Sequence, residues 1–235
     1  MRAERSLCGS EDNAHMSASP HWHPVASAQH LRAGENAVAT LLCDQPLALW
    51  RSAGGSVQAW EDRCPHRSVP LSLGRVQGDR LACAYHGWQY AALDGRCVAI
   101  PAMPNQAVPG KVCVKTYPVQ ECRGMVWVFL AQTAGDAPAP DPQPQDVCFL
   151  RSLSVDRPMA QIDAALVEAG FAMQAPHVWI GALDDFPVRL YAQAASAQWC
   201  VLHLFGKQAP ADAHRQQLFA AMRSLRTAIE ATQEV

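Results

Sequence analysis

Two short runs constrain this chain more than any other feature: Cys64-Pro65-His66 and Cys83-Ala84-Tyr85-His86, with sixteen residues between His66 and Cys83. Each places a thiol and an imidazole in one tight turn, so a fold that uses both must bring two separate turns together. Thiolate and imidazole suit iron–sulfur chemistry, and replacing thiolates by neutral imidazoles on one iron raises the potential. Pro65 stiffens the first turn, and Gly87 lets the backbone bend close to whatever the second pair holds. Three other readings stay open at this level. Four Cys and His ligands also suit tetrahedral zinc, although zinc sites usually group like with like. The pairs could arise by chance among nine cysteines and nine histidines, or persist as a relic without a cluster.

With 235 residues the chain has room for one or two domains and a sizeable core. Apolar residues at 49% and charged residues at 17% are the balance of a folded soluble protein. A net charge of -2 and no basic stripe argue against nucleic acid. No apolar run approaches the ~20 residues of a membrane helix, so no membrane partner is expected. Residues 1–19 carry Arg2 and Arg5 but also Glu4, Glu11 and Asp12, with no apolar stretch. They read as a disordered tail rather than a signal peptide, and a cytoplasmic location is expected. Irregular spacing makes Cys8, Cys43, Cys97, Cys113, Cys122, Cys148 and Cys200 candidates for reduced, mostly buried thiols.

Between Trp22 and Leu130 the pattern predicts short strands at Ala37–Leu42, Leu47–Arg51, Val57–Glu61, Arg80–Ala84, Gln89–Ala91, Val112–Tyr117 and Gly124–Leu130. Gly54-Gly55 and Asp94-Gly95 mark turns between them, and strands this short suggest a small sandwich or barrel. Prolines 138, 140, 142 and 144 then rule out a helix or central strand, which marks 132–150 as a linker. Beyond it, Gln161–Met173 reads as an amphipathic helix with Ile162, Ala165, Leu166 and Ala169 on one face. Val188–Ala194 and Gln198–Phe205 read as strands, the second apolar on both faces. A last helix begins near Asp212 with Leu218, Met222, Leu225 and Ile229 as its stripe. The expected fold class is α+β: an all-β unit over 20–131, then a small α+β unit over 151–235.

Cys-Pro-His-Arg at 64–67 and Cys-Ala-Tyr-His-Gly-Trp at 83–88 resemble the Rieske [2Fe–2S] domains of bacterial non-heme iron oxygenases. The resemblance extends through Trp22-His23-Pro24-Val25, Leu71-Ser72-Leu73-Gly74 and Ile100-Pro101-Ala102, and is strongest to the N- and O-demethylases, including purine-alkaloid demethylases. It implies a [2Fe–2S] cofactor, with Cys64 and Cys83 on the inner iron and His66 and His86 on the solvent-side iron. It also implies a covering loop at Pro101–Pro109, and roles near the partner or behind the ligands for Arg67, Tyr85 and Trp88. Respiratory Rieske proteins carry an additional cysteine in each ligand loop; Arg67–Leu71 and Gly87–Ala91 contain none. The cluster should therefore lie toward the low-potential end of the range.

A complete oxygenase of that family also holds a mononuclear iron on two histidines and a carboxylate. After residue 100 this chain has only His177, His203 and His214, and no closely spaced pair. His203 is expected to be a satisfied core residue and His214 a surface one. The 151–235 unit resembles a reduced helix-grip domain and is expected to be non-catalytic. The expected role is therefore a relay of single electrons from an NAD(P)H-dependent reductase to a terminal oxygenase subunit, in a possible hetero-oligomer. The alternatives are a demethylating monooxygenase with an atypical site, such as His177 with Asp184 or Asp185, and an assembly subunit.

Overall fold

The computed structural model describes residues 21–131, 148–207, 209 and 211–231. The expected N-terminal tail, Cys8 and residues 132–147 of the expected linker lie outside them. The first stretch contains β1 (His23–Ser27), β2 (Val38–Leu42), β3 (Gln45–Arg51), β4 (Val57–Glu61) and β5 (Arg75–Gln77). It continues with β6 (Arg80–Ala82), β7 (Gln89–Ala91), β8 (Cys97–Ala99), β9 (Thr116–Tyr117), β10 (Val119–Cys122) and β11 (Met125–Val128). They form three antiparallel sheets, ordered β2-β3-β4-β9, β5-β6-β7-β8 and β1-β11-β10. Cys43 and Asp44, at φ 49° and 62°, form the two-residue turn between β2 and β3. Both central residues in the left-handed region match the right-handed twist of a hairpin.

The second stretch contains β12 (Cys148–Val155), α1 (Met159–Glu168), β13 (Ala172–Ala175), β14 (Val178–Leu183), β15 (Phe186–Ala194), β16 (Cys200–Gly206) and α2 (Asp212–Ala231). Its sheet runs β12-β16-β15-β14-β13. On one face Cys200, Leu202 and Leu204 pack against Ile162 and Leu166 of α1 and the predicted Leu218, Met222, Leu225 and Ile229 stripe of α2. On the other, Val178, Tyr191 and Phe205 meet Trp22, Met125, Trp127 and Phe129. The two apolar faces of β16 thus have two owners, the helices and the first stretch.

Several expectations need correction. The helix over Gln161–Met173 stops at Glu168. Gly170 takes φ 82°, its N–H bonds Val167 O, and the Phe171 N–H reaches back to Leu166 O. That is a Schellman stop, after which Met173 belongs to an exposed edge strand. Residues 148–150, expected to be linker, open β12. Cys113 is disulfide-bonded rather than a reduced thiol, a pairing that irregular spacing cannot reveal; Cys43, Cys97, Cys122, Cys148 and Cys200 are free, as expected.

A buried polar chain ties the two stretches together. His203 accepts from Ser152 Oγ at Nδ1 and donates from Nε2 to Gln193 Oε1, both at 2.8 Å. Gln193 Nε2 in turn donates to Leu41 O at 2.7 Å and Thr40 Oγ1 at 2.9 Å. His203 is therefore the satisfied core histidine expected. Gln193→Leu strands the buried His203 N–H and the half-buried Leu41 carbonyl, and a buried polar group left unpaired costs about 1–3 kcal/mol. Urea unfolding of that variant should show a loss of at least about 2 kcal/mol.

Candidate metal centre

The two ligand turns are built alike. The Cys64 carbonyl accepts from Ser68 N–H at 2.8 Å, and the Cys64 N–H donates to Val69 O at 2.9 Å. The Cys83 carbonyl accepts from Gly87 N–H at 3.0 Å, and the Cys83 N–H donates to Trp88 O at 2.9 Å. The fourth residue after each cysteine has positive φ, 58° at Ser68 and 68° at Gly87. Ser68 holds its turn with help from Arg63 Nε, which donates to Ser68 Oγ at 2.9 Å. At Gly87 a Cβ would stand 3.1 Å from Pro101 Cγ, so the predicted covering loop closes directly on the second turn.

The strands hold the turns in place. Asp62 accepts from Ser72 N–H at 2.7 Å and Ser72 Oγ at 2.6 Å, tying the approach to Cys64 to the Leu71–Leu73 turn. Gly74 follows that turn so closely against β6 that a Cβ would lie 2.3 Å from Ala82 O, one residue before Cys83. Only glycine allows the approach.

Between the turns the four side chains face each other two by two. Cys64 and Cys83 are both buried, and Cys64 is close enough to perturb Cys83. Burial raises Cys83, with Cys64 adding to the effect, while the N–H groups of Tyr85 and His86 aim at its sulfur and favour the thiolate. His86 is exposed and His66 half-buried. Their Nδ1 atoms stand 3.1 Å apart, with ring centroids at 4.8 Å. Burial, His86 and Arg67 lower His66, keeping it in the neutral form that ligates. Two nitrogens at ~2.1 Å from one metal and about a right angle apart are separated by roughly 3 Å, so this pair fits a single iron. Among the described residues no three His, Cys, Asp or Glu side chains converge on one point. An inner sulfur pair and an outer nitrogen pair suit two metal atoms better than one tetrahedral zinc.

Trp88 lies flat on His66, centroids 4.2 Å apart at 6°, and packs into the core beneath. Tyr85 stands 3.8 Å from the His86 ring and is 58% exposed. Arg67 is exposed beside His66. Sequence reasoning missed Tyr90, whose hydroxyl lies 3.1 Å from Cys64 Sγ in the buried interior. Its signal was present: Tyr90 is two residues beyond Trp88, and strand alternation turns both inward.

The second stretch does not assemble the atypical iron site. His177 precedes β14 and Asp184 follows it, on the order of 20 Å apart at ~3.3 Å per residue. Asp184 and Asp185 instead line a cavity of about 560 Å³ with His214. His214 is exposed on α2, as expected.

Residues 21–118 match the Rieske [2Fe–2S] domain family. The chain is 43% identical over 115 residues to the oxidoreductase NdmD of Pseudomonas putida, a match covering 49% of this chain and 19% of NdmD. It is 39% identical over 113 residues to the methylxanthine N1-demethylase NdmA of the same species, covering 46% of this chain and 32% of NdmA. These matches span less than a third of either relative. The solved structure of NdmB from Pseudomonas putida CBB5 superposes with a TM-score of 0.68 at 21% identity, covering 93% of this chain and 84% of that one. The likeness of fold therefore continues through the second stretch. No helix among the described residues is long and apolar enough to cross a membrane.

Proposed function

Taking as premise the Rieske [2Fe–2S] domain that this chain carries, we propose that it relays single electrons from an NAD(P)H-dependent reductase to a separate terminal oxygenase of the demethylating type. Cys64 and Cys83 would hold one iron of the cluster, and His66 and His86 the other. When bound, the cluster supplies a one-electron store near the surface. The observation that carries the reading is the paired arrangement: buried thiols behind, and an imidazole edge reaching solvent at His86. A partner would exchange electrons with the bound cluster at that edge, where Arg67 and Tyr85 offer a cation and an exposed ring for docking. Trp88 fixes the plane of His66. Two structural units divide the work, the cluster unit over 20–131 and a non-catalytic unit that begins with β12, joined by the proline-rich linker.

Supporting the relay over a complete oxygenase, the three late histidines are scattered: His203 is spent on Ser152 and Gln193, His214 lies on α2, and His177 is far from Asp184. The second reading, a demethylating monooxygenase or its assembly subunit, is favoured by the extent of the NdmB-like fold. Reconstitution separates them. The iron-loaded chain is mixed with a reductase and with an oxygenase whose own Rieske cysteines have been replaced, and demethylation is followed. Product only when all three are present supports the relay; product from chain and reductase alone overturns it.

The Tyr90 hydroxyl lies 3.1 Å from the Cys64 sulfur, and as a ligand that sulfur would be a thiolate with no proton, leaving the hydroxyl as the donor. Tyr90→Phe should lower the reduction potential by roughly 40–60 mV, the equivalent of about 1 kcal/mol for one electron. A redox titration followed by EPR reads the shift directly.

A further inference from the structure

Away from the cluster, a second pair of imidazoles meets where the two stretches join. His23 on β1 is 2% exposed, and neither of its ring nitrogens has a partner among the described residues. His177, at the turn between β13 and β14, approaches with ring centroids 4.8 Å apart and planes at 43°. Its Nδ1 is also buried and unpaired. Three orphaned imidazole nitrogens in one spot are costly, because each unpaired buried polar atom forfeits about 1–3 kcal/mol. His177 adopts φ 66°, a left-handed conformation that non-glycine residues rarely take. The turn therefore bears strain while presenting its ring to His23.

We propose that His23 and His177 bind one divalent transition-metal ion of the zinc or copper class, which clamps β1 to the β13–β14 turn. Two imidazoles ligating one ion at ~2.1 Å, with an angle between a right angle and tetrahedral, place their centroids roughly 4.5–5.2 Å apart. The observed 4.8 Å falls inside that window. It also equals the separation of His66 and His86, which fit a shared iron. Burial, first, and the neighbouring histidines lower both His23 and His177 to about 4. Both are therefore neutral at pH 7, with a lone pair free for a soft or borderline cation. His21 is the other titratable group whose charge reaches both, and it is exposed. No third His, Cys, Asp or Glu among the described residues joins the pair as a ligand, so water completes the coordination sphere. Two histidines without a carboxylate do not make the facial triad of oxygen-activating iron. The clamp is structural and independent of the relay.

The test uses the full chain with its cluster loaded, so that His66 and His86 are already occupied. Zn²⁺ is titrated by calorimetry, and Cu²⁺ by EPR. The expected result is one ion per chain, with hyperfine splitting from two imidazole nitrogens and a melting temperature raised by Zn²⁺. His177→Asn tolerates the left-handed turn and should weaken binding at least tenfold and remove the Zn²⁺-dependent rise. His21→Ala should leave both intact. Unchanged binding in His177→Asn, or no binding by the unmutated chain, overturns the proposal; the orphaned nitrogens are then bridged by water alone. Iron and sulfide content, measured on the same samples, reports the cluster separately.

Discussion

Cys64→Ser loses the red-brown colour of the cluster, with iron and acid-labile sulfide falling to roughly a tenth or less of the two each that a [2Fe–2S] centre requires. The sulfur at 64 is 2% exposed and sits within reach of Cys83 and Tyr90, so a serine hydroxyl there faces a site shaped for a soft ligand. His86→Ala removes one nitrogen of the pair whose Nδ1 atoms are 3.1 Å apart, and the same loss of colour is expected. Cys97→Ser is the control. Cys97 is 8% exposed, packs in the same core as Cys64 and Cys83, and its thiol donates to the Ala99 carbonyl. It is a near neighbour with no place in the ligand set, so its variant should keep iron and colour. Equal loss in Cys97→Ser would mean that core packing rather than ligation had been measured. Native protein that holds zinc in place of iron and sulfide would overturn the ligand assignment itself.

The ligand turns were legible because their chemistry is local: a Cys, a His and a left-handed residue within five positions describe each turn almost completely. Strands with tight pairing were legible for a similar reason, and Val57–Glu61 and Gln89–Ala91 are found at their predicted bounds. Val112–Tyr117 was overcalled, because only Thr116–Tyr117 pairs with β4 while Cys113 forms a lone bridge to Arg96. The helix expected from the Ile162, Ala165, Leu166 and Ala169 face overlaps β13 at Ala172 and Met173, because periodicity alone does not mark the stop at Gly170. What the sequence could not display were contacts between distant segments. Tyr90 meets Cys64 across 26 residues, Gln193 meets Thr40 across 153, and His23 meets His177 from the other end of the chain. Such pairs follow from the packing of whole sheets, to which no short motif gives access.

The same buried imidazoles make the fold sensitive to acid. His203 is held down to about 3, chiefly by burial and secondarily by His30, and its ring partners are Ser152 and Gln193 rather than a carboxylate. Folded, it stays neutral; unfolded, it takes a proton below about pH 6.5. Protons therefore bind the unfolded chain preferentially as pH falls from 6.5 toward 3, and stability is lost across that window at up to ~1.4 kcal/mol per pH unit. By pH 5 this one residue costs roughly 2 kcal/mol. In the metal-free chain His23 and His177 act in the same direction down to about 4. Against a total stability on the order of 5–15 kcal/mol, their combined effect is large. The midpoint of urea unfolding, followed by far-UV circular dichroism, should fall steeply between pH 7.5 and pH 5. Zn²⁺ should restore part of the loss by holding His23 and His177 neutral, but none of the share that belongs to His203. A midpoint that does not move between the two pH values would mean that His203 is protonated in the fold, with Nδ1–H donating to Ser152 Oγ, and would overturn the prediction.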